Sequence, residues 1–276
     1  MTDNDNKTKL EAAYEYVWPV DGTSLVDSLC HSLNLRPPTM MYDVAAEFGL
    51  RANETVLDVG CGRGKHTCEL VRRFGCNVMA LDLVGSNLRQ AQDAVTEKGL
   101  TERVTLLRGT IDTMPFEDAT FSLIWCRAML VHVPDLRQGI LECARVLKPG
   151  GAMIVYTTFA TNLLETSEAT RLYEPLGVVI ENLSQSRVEE AFRNAGLRIL
   201  FDESIGGEFM EYQEETDGRC SKALLRLAKM IRAREQFVAE LGKARYDALL
   251  AAYHWVVYLL LGKLNPTIYT LGKAIA

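Results

Sequence analysis

The stretch Val56-Leu57-Asp58-Val59-Gly60-Cys61-Gly62-Arg63-Gly64 contains the pattern that decides the fold of this 276-residue chain. An apolar run that carries a carboxylate is followed by three alternating glycines and then by a helix-like segment, residues 65–74. This order predicts a strand, a tight turn and a helix. Because glycine lacks Cβ and reaches positive φ at little cost, a ligand can lie directly against the backbone of such a turn.

A second apolar run, residues 77–81, is followed by the carboxylate Asp82, 22 residues after Gly60. An acid at the end of a strand at this distance is placed to accept both hydroxyls of a ribose. A glycine turn of this kind can belong to either of two adenosine cofactors. The nicotinamide pattern requires glycine at position 65, where this chain has Lys65, and an uncharged residue in place of Asp58. The pattern in this chain is instead D-x-G-x-G-x-G.

With these motifs, the chain resembles the class I S-adenosylmethionine (SAM) dependent methyltransferases, in the branch that acts on small molecules such as natural products and sterols. The resemblance covers residues 40–160 or so. It rests on five motifs: Asp58, Gly60, Gly62 and Gly64; Asp82; the turn 109–112; the strand 116–125; and residues 147–151. The chain departs from the family at Ser122, where an acid is usual, and at Arg127, where many relatives have a small or acidic residue.

The resemblance implies SAM as the cofactor and a cofactor site at the carboxyl ends of the strands. The implied residues are Asp58, Gly60, Cys61, Gly62, Gly64, Asp82, Leu83, Thr110, Ile111, Asp112, Cys126, Arg127 and Val131. Two roles stay open for Asp58, which would receive the methionine ammonium or cap the amides of the glycine turn. Asp112 would accept from the adenine amino group or stabilise its own turn. We interpret Cys61 and Cys126 as small apolar residues rather than nucleophiles.

The composition of the chain limits the kinds of partner that it is expected to bind and the compartment in which it is expected to reside. A net charge of −6 argues against a nucleic-acid groove. Seven cysteines without a C-x-x-C pair favour a reducing compartment over a disulfide framework or a metal site. The polar N-terminus has no apolar leader, and the longest apolar run, residues 248–261, is shorter than the ~20 residues that a bilayer requires. We therefore expect a cytoplasmic protein without a membrane span.

Apolar runs alternate with helix-like segments along the middle of the chain, as a parallel sheet requires. The pattern predicts strands at 54–58, 77–81, 104–107, 121–126, 153–158 and 197–204, and helices at 39–48, 65–74, 86–98, 135–147 and 186–196, the last opened by a capping box at 186–189. The fold class is α/β, a doubly wound, Rossmann-like sheet. The family adds a seventh, antiparallel strand, which matches residues 267–273.

We divide the chain into an N-terminal helical extension (1–38), a SAM-binding core (39–215), a helical cap (216–264) and a final strand (265–276). Residues 1–9 are polar and are expected to be disordered. Helical segments are expected at 10–18 and 24–33. The cap is an insertion before the last strand, with an apolar stripe along residues 216–262.

In this family a methyl group moves by in-line displacement to an oxygen, nitrogen or carbon nucleophile. His132, just beyond the fourth strand, is the best-placed candidate for a general base. The alternative is that His132 hydrogen-bonds backbone and shapes the cofactor wall. Tyr14, Trp18, Tyr246 and Tyr253 are candidate contacts to a small, largely apolar acceptor enclosed by the cap and the N-terminal segment.

Three alternatives remain open at the level of function. The apolar stripe of the cap would equally serve as a contact between subunits of a homo-oligomer. The chain would also fit a non-catalytic SAM-binding or scaffold protein, or a methyltransferase that acts on a macromolecule.

Overall fold

The structure, a computed structural model, describes residues 3–17, 31–32, 34–52 and 54–274. In these ranges the strands are β1 (Thr55–Val59), β2 (Asn77–Asp82), β3 (Val104–Arg108), β4 (Phe121–Arg127), β5 (Leu147–Ala160), β6 (Leu197–Ser204) and β7 (Leu264–Lys273). The helices are α1 (Asp3–Val17), α2 (Met40–Glu47), α3 (Lys65–Phe74), α4 (Gly85–Glu97), α5 (Leu136–Val146), α6 (Thr166–Tyr173), α7 (Gln185–Asn194), α8 (Glu208–Asp217), α9 (Arg219–Arg232), α10 (Arg234–Leu241) and α11 (Lys243–Leu260).

The strands form one sheet in the order β3-β2-β1-β4-β5-β7-β6, in which β7 runs antiparallel to both of its neighbours. This confirms the predicted doubly wound, seven-stranded fold. The chain moves outward from β1 to β3 and then returns to place β4 on the other side of β1. A crevice opens at the carboxyl ends of strands where the strand order reverses in this way, and ligands of α/β sheets bind there.

Both faces of the sheet are covered, which explains why its strands are nearly continuously apolar. Leu123 and Trp125 of β4 pack on one face, in a cluster that includes Tyr42 of α2 and Leu70 of α3. Ile124 packs on the opposite face, in a cluster with residues of α5 and α7. The alternation of side chains along β4 therefore fixes its register between two helical layers.

The predicted strand bounds agree with the structure to within one residue for β1 to β4 and for β6. The fifth strand begins at Leu147, six residues before the predicted start, because Leu147 pairs with Phe121 across an irregularity in the ladder. The motif at residues 147–151 is therefore part of the strand. The seventh strand begins at Leu264, three residues early.

Two predictions about helix starts were wrong. Helix α7 is capped by Ser184, whose hydroxyl accepts from the amide of Arg187, and so it begins before the predicted capping box at 186–189. Helix α1 begins at Asp3, inside the segment expected to be disordered. Lysine, glutamate and alanine, which dominate residues 7–13, have high helix propensity, so the lack of apolar residues did not prevent a helix. Of the helix expected at 24–33, only residues 31–32 lie within the described ranges, and these two are not helical.

Helices α8 to α11 lie between β6 and β7, where the sequence places the cap. They begin at Glu208, eight residues before the predicted boundary, because α8 is rich in acidic residues and shows little apolar pattern. Buried residues of the cap and of the segments after β4 and β5 form a third apolar cluster, which includes Val131, Tyr173 and Leu259. This cluster places the cap over the carboxyl ends of β4 and β5. Among the described helices, none has both the length and the apolar character needed to cross a membrane.

Candidate active site

The three glycines of the turn after β1 all have positive φ, but each is required for a different reason. A Cβ on Gly60 (φ +72°) would lie 2.8 Å from Cβ of Met129, so this glycine allows the loop after β4 to pack against the turn. A Cβ on Gly64 (φ +75°) would lie 3.0 Å from Cβ of Ala91, so this glycine allows α3 and α4 to approach. These two positions serve packing.

Gly62 (φ +55°) differs because a Cβ there would meet no protein atom within 4 Å. The open space lies beside the N-terminus of α3, whose first amides have no partner within the helix. This turn is therefore a cradle in which a ligand can contact bare backbone, as the cofactor of the family requires.

Asp82 connects the end of β2 to the glycine cradle. One carboxylate oxygen accepts from the amide of Gly62 at 2.8 Å, and the other accepts from the amide of Val84 at 2.8 Å. The Val84-bound oxygen also accepts from the Asn87 side-chain amide at 3.4 Å, whereas the Gly62-bound oxygen retains a lone pair for a further donor. Both oxygens are thus held in fixed positions at the crevice, which suits the two hydroxyls of a ribose.

Replacing Asp82 with asparagine should weaken binding of S-adenosylhomocysteine (SAH) by roughly ten- to hundredfold, because one charge-assisted hydrogen bond is worth about 1.5–3 kcal/mol. Isothermal titration calorimetry measures this affinity directly. Asp93→Asn, on the exposed side of α4, removes the same charge outside the crevice and should bind SAH normally. Equal affinity of Asp82→Asn and wild type would remove Asp82 from the ribose site.

Asp58 is buried at the end of β1, where its Oδ2 accepts from the Thr67 hydroxyl at 2.6 Å. The amides of the glycine turn bond elsewhere: those of Gly60 and Cys61 donate to the Leu81 carbonyl. The structure therefore does not show the amide-capping role considered for Asp58. Burial raises the pKa of Asp58 to about 7, with Asp82 acting in the same direction and the Thr67 hydroxyl and Arg127 opposing it.

This raised pKa predicts a pH dependence of cofactor binding. The folded-state pKa of Asp58 lies above the unfolded value of 3.8, so its contribution to stability is present below pH ~4 and is lost as the pH rises through ~7. A ligand ammonium beside the charged carboxylate would offset that loss. The increase in Tm caused by SAH should therefore be larger at pH 8 than at pH 6, and Asp58→Asn should remove this difference. A wild-type Tm shift that does not change with pH would contradict the assignment.

On the adenine side, Asp112 is half-buried and its Oδ1 is buried without a hydrogen-bond partner among the described residues. An exocyclic amino group is a donor of the kind that this oxygen lacks. Ile111 is buried in the core, Thr110 forms a bridge with Thr113, and Leu83 is exposed beside Asp82. The implied adenine-side residues thus lie at neighbouring strand ends.

The side chains of Cys61 and Cys126 are directed into the apolar core, on opposite faces of the sheet. Burial raises the pKa of both thiols, so neither is a thiolate at neutral pH. Any contact that these residues make with a cofactor would involve their backbone. The six cysteines within the described ranges are all free thiols, and the same ranges contain no cluster of three or more metal-ligating side chains.

A cavity of about 380 Å³ lies where the cap meets the carboxyl ends of β4 and β5. Arg127, Tyr156 and Thr158 line it from the sheet. The facing wall is apolar and includes Val131, Leu176, Phe209, Met210, Trp255 and Leu259. Val59, the last residue of β1 before the glycine turn, pairs with Cys126 of β4. Arg127, the next residue of β4, lines the cavity. We call this space the acceptor cavity.

His132 lines the acceptor cavity and stands on a one-turn 3-10 helix, Leu130–His132. Its Nδ1 lies 3.1 Å from the carbonyl oxygen of Gly177. A carbonyl only accepts, so Nδ1 carries the proton and Nε2 has the lone pair. The turn itself is fixed by buried Asn182, whose amide donates to the carbonyls of Leu130 and Val133.

The structure separates the sequence-predicted residues into groups. Arg127 and Val131, which the resemblance places at the cofactor, both line the acceptor cavity, and their contact with the cofactor stays a prediction. Tyr246 is buried and donates to the Met230 carbonyl inside the cap, and Tyr253 lies under the guanidinium of Arg226, so neither lines that cavity. Tyr14 is an exposed residue of α1 that also does not line the cavity, and Trp18 lies outside the described residues.

Several residues of the site were missed by sequence reasoning. Tyr156 and Thr158 belong to a strand and read as core, and Asn182 acts from about 50 positions beyond the turn that it holds. Ala128 adopts φ +56°, which the sequence does not signal because alanine rarely does so. An unusual conformation of this kind at the end of β4 redirects the chain toward the glycine cradle.

Comparison with known proteins places this geometry in a family. Residues 57–155 match the family described as "Methyltransferase domain". A sterol 24-C-methyltransferase of Aspergillus fumigatus is 32% identical over 202 residues, which are 70% of this chain and 52% of that protein. The methyltransferase GfsG of Streptomyces halstedii is 38% identical over 138 residues, which are 50% of this chain and 48% of that protein. The chain thus spans about half the length of these curated relatives.

Among solved structures, a putative sarcosine dimethylglycine methyltransferase from Galdieria sulphuraria superposes with a TM-score of 0.67. The alignment covers 85% of this chain and 84% of that chain at 22% sequence identity, and it supports the fold alone. From the family match over residues 57–155, the D-x-G-x-G-x-G cradle and the sheet order, we conclude that the chain carries a class I, S-adenosylmethionine-dependent methyltransferase domain.

Proposed function

We propose that this protein is an S-adenosylmethionine-dependent methyltransferase that methylates a small, largely apolar metabolite. The observation that carries the proposal is the acceptor cavity, which is covered by the apolar wall of the cap. Its lining residue Ala128 directly precedes Met129, which packs against Gly60 of the glycine turn. A cavity of about 380 Å³ is in the range of small-molecule sites. A macromolecular substrate would instead require a broad, charged or open surface.

When bound, S-adenosylmethionine supplies a methyl group that is already activated on a sulfonium. The residues of this chain then need to hold the reacting groups in line and to exclude water. In this proposal Gly62 and Asp82 fix the nucleoside part, Asp58 pairs with the ammonium and Asp112 accepts from the adenine amino group. The cap wall, with Trp255 edge-on to buried Tyr173 at 4.9 Å, encloses the acceptor.

His132 is the proposed general base for an acceptor that loses a proton. Its Nδ1 is held by the Gly177 carbonyl, which leaves Nε2 as the proton acceptor. The identity of the acceptor molecule determines whether the methyl group is transferred to oxygen, nitrogen or carbon.

A homo-oligomer is a second proposal, because α9 exposes the apolar side chains of Leu224, Leu225 and Ile231.

The proposal is tested by incubating the protein with S-adenosylmethionine labelled in its methyl group and a panel of small hydroxyl, amine and alkene acceptors. We expect label in an extracted small product and formation of SAH that depends on the acceptor.

Trp255→Ala should raise the KM for the acceptor about tenfold while leaving SAH affinity unchanged, because it removes part of the cap wall and none of the cradle. Leu141→Ala, on the exposed side of α5 and away from the acceptor cavity, is the control and should change neither. Tight SAH binding with no transfer to any acceptor would favour the scaffold alternative.

A further inference from the structure

The sheet side of the acceptor cavity carries three polar groups that have no hydrogen-bond partner among the described residues. They are the guanidinium of Arg127, the hydroxyl of Tyr156 and the hydroxyl of Thr158, and all three side chains line the cavity. Tyr156 and Thr158 are only 5% and 4% exposed. Buried polar groups normally have partners, so an unpaired set that faces one cavity indicates a ligand.

The fold brings these three groups together through strand register. Arg127, the last residue of β4, pairs with Tyr156 of β5, and its Cζ lies 5.0 Å from the centre of the Tyr156 ring. Thr158 follows two residues later and therefore projects from the same face of β5. The site is thus built on two central strands, which are rigid elements.

Two other partly buried arginines of this protein have carboxylate partners. Arg145 bonds Glu142 at 2.7 Å and Asp118 at 2.8 Å. Arg36 pairs with Glu203 and Glu208. Arg127 is half-buried and forms no direct ion pair with any described residue, although its charge acts on the buried Asp58, whose pKa it lowers. A partly desolvated charge without a direct counter-ion is costly, and a bound anion would offset that cost.

The charges of the other lining residues also favour a bound anion. None of the described residues that line the cavity is acidic, and a second arginine, Arg219 at the start of α9, lines it from the cap. Burial raises the pKa of Tyr156 to about 12, so its hydroxyl stays protonated and can donate at neutral pH. The cavity therefore offers donors and positive charge on the sheet wall, and a cap wall that is apolar apart from Arg219.

We propose that the acceptor is an anionic amphiphile, whose carboxylate or phosphate group binds Arg127, Tyr156 and Thr158 while its apolar body lies against the cap wall. This inference rests on the proposed function, because it assigns the acceptor class of the same cavity. It excludes acceptors whose main polar group is a cation. The methionine carboxylate of the cofactor shares this chemistry, and the experiment below separates the two sources.

The test uses three probes with one apolar chain and different head groups: decanoate, decanol and decylamine, each below its aggregation concentration. Their binding to the protein saturated with SAH is measured by calorimetry. Decanoate should bind at least about tenfold tighter than decanol, since a charge-assisted hydrogen bond contributes more than a neutral one, and decylamine should bind most weakly. Similar affinities for the three probes, or no measurable binding of decanoate, would overturn the inference.

Arg127→Gln should lower decanoate affinity to that of decanol without changing the affinity for decanol or for SAH. Arg226→Gln is a matched control, because Arg226 also lies over a tyrosine ring, that of Tyr253, but does not line the acceptor cavity. It should keep the preference for decanoate. Loss of SAH affinity in Arg127→Gln would show that the guanidinium holds the cofactor's carboxylate and would overturn the inference. Failure of the wild-type protein to bind SAH would instead contradict the proposed function.

Discussion

Replacing Gly62 with valine should weaken SAH binding by at least about a hundredfold while leaving the secondary structure intact. Gly62 has φ +55°, and a Cβ at this position meets no protein atom within 4 Å. The added side chain therefore does not clash with the protein and instead fills the cradle that the ligand would occupy. Calorimetry measures the affinity, and circular dichroism checks the fold.

Backbone strain is the competing explanation for such a loss, because valine is disfavoured at positive φ. Gly99→Val controls for it. Gly99 has φ +65° and equally open space around its Cβ, but it lies after the end of α4 and outside the crevice. This variant should lose a similar amount of stability and keep its SAH affinity. If both variants bind SAH normally, the cofactor does not lie on the glycine turn.

Replacing His132 with asparagine should lower kcat by about a hundredfold or more, with KM and SAH affinity unchanged. An asparagine amide still has a donor for the Gly177 carbonyl, so the turn is retained, but it has no basic nitrogen. Loss of transition-state stabilisation without loss of binding is the result expected for a proton acceptor. Steady-state kinetics with an identified acceptor give both parameters.

His254 provides the matched control for this substitution. Its Nδ1 also contacts a carbonyl oxygen, that of Leu250 at 2.8 Å, but it lies on α11 and does not line the acceptor cavity. His254→Asn should leave kcat unchanged. A His132→Asn enzyme that retains its kcat would mean that His132 only shapes the wall, which is the other interpretation of this residue.

The core of the fold was predictable because its sequence signals are local. Strands such as Asn77–Asp82 are short apolar runs that end in polar or glycine residues, and helix α3 (Lys65–Phe74) has the predicted bounds. The start of the cap was less predictable. The acidic helix Glu208–Asp217 is held by tertiary contacts of a few residues such as Met210, which a periodicity argument does not detect.

The residues of the candidate site also differ in how well the sequence predicts them. The glycine turn and Asp82 are separated by a fixed number of residues, so the sequence alone indicates that they meet. The acceptor cavity is formed by residues from β4, β5, α8 and α11, which are far apart in the chain. Only the register between Arg127 and Tyr156 shows that these two residues face the same space, and only the burial of Tyr246 shows that it does not.

The central claim is that the crevice at the carboxyl ends of β1, β2 and β4 binds the adenosine cofactor of the family. Calorimetric titration of the wild-type protein with SAH at pH 8, where Asp58 is charged, tests this claim most directly. We expect saturable binding at one site per chain, with an affinity that falls at pH 6. The absence of saturable binding at either pH would contradict the account.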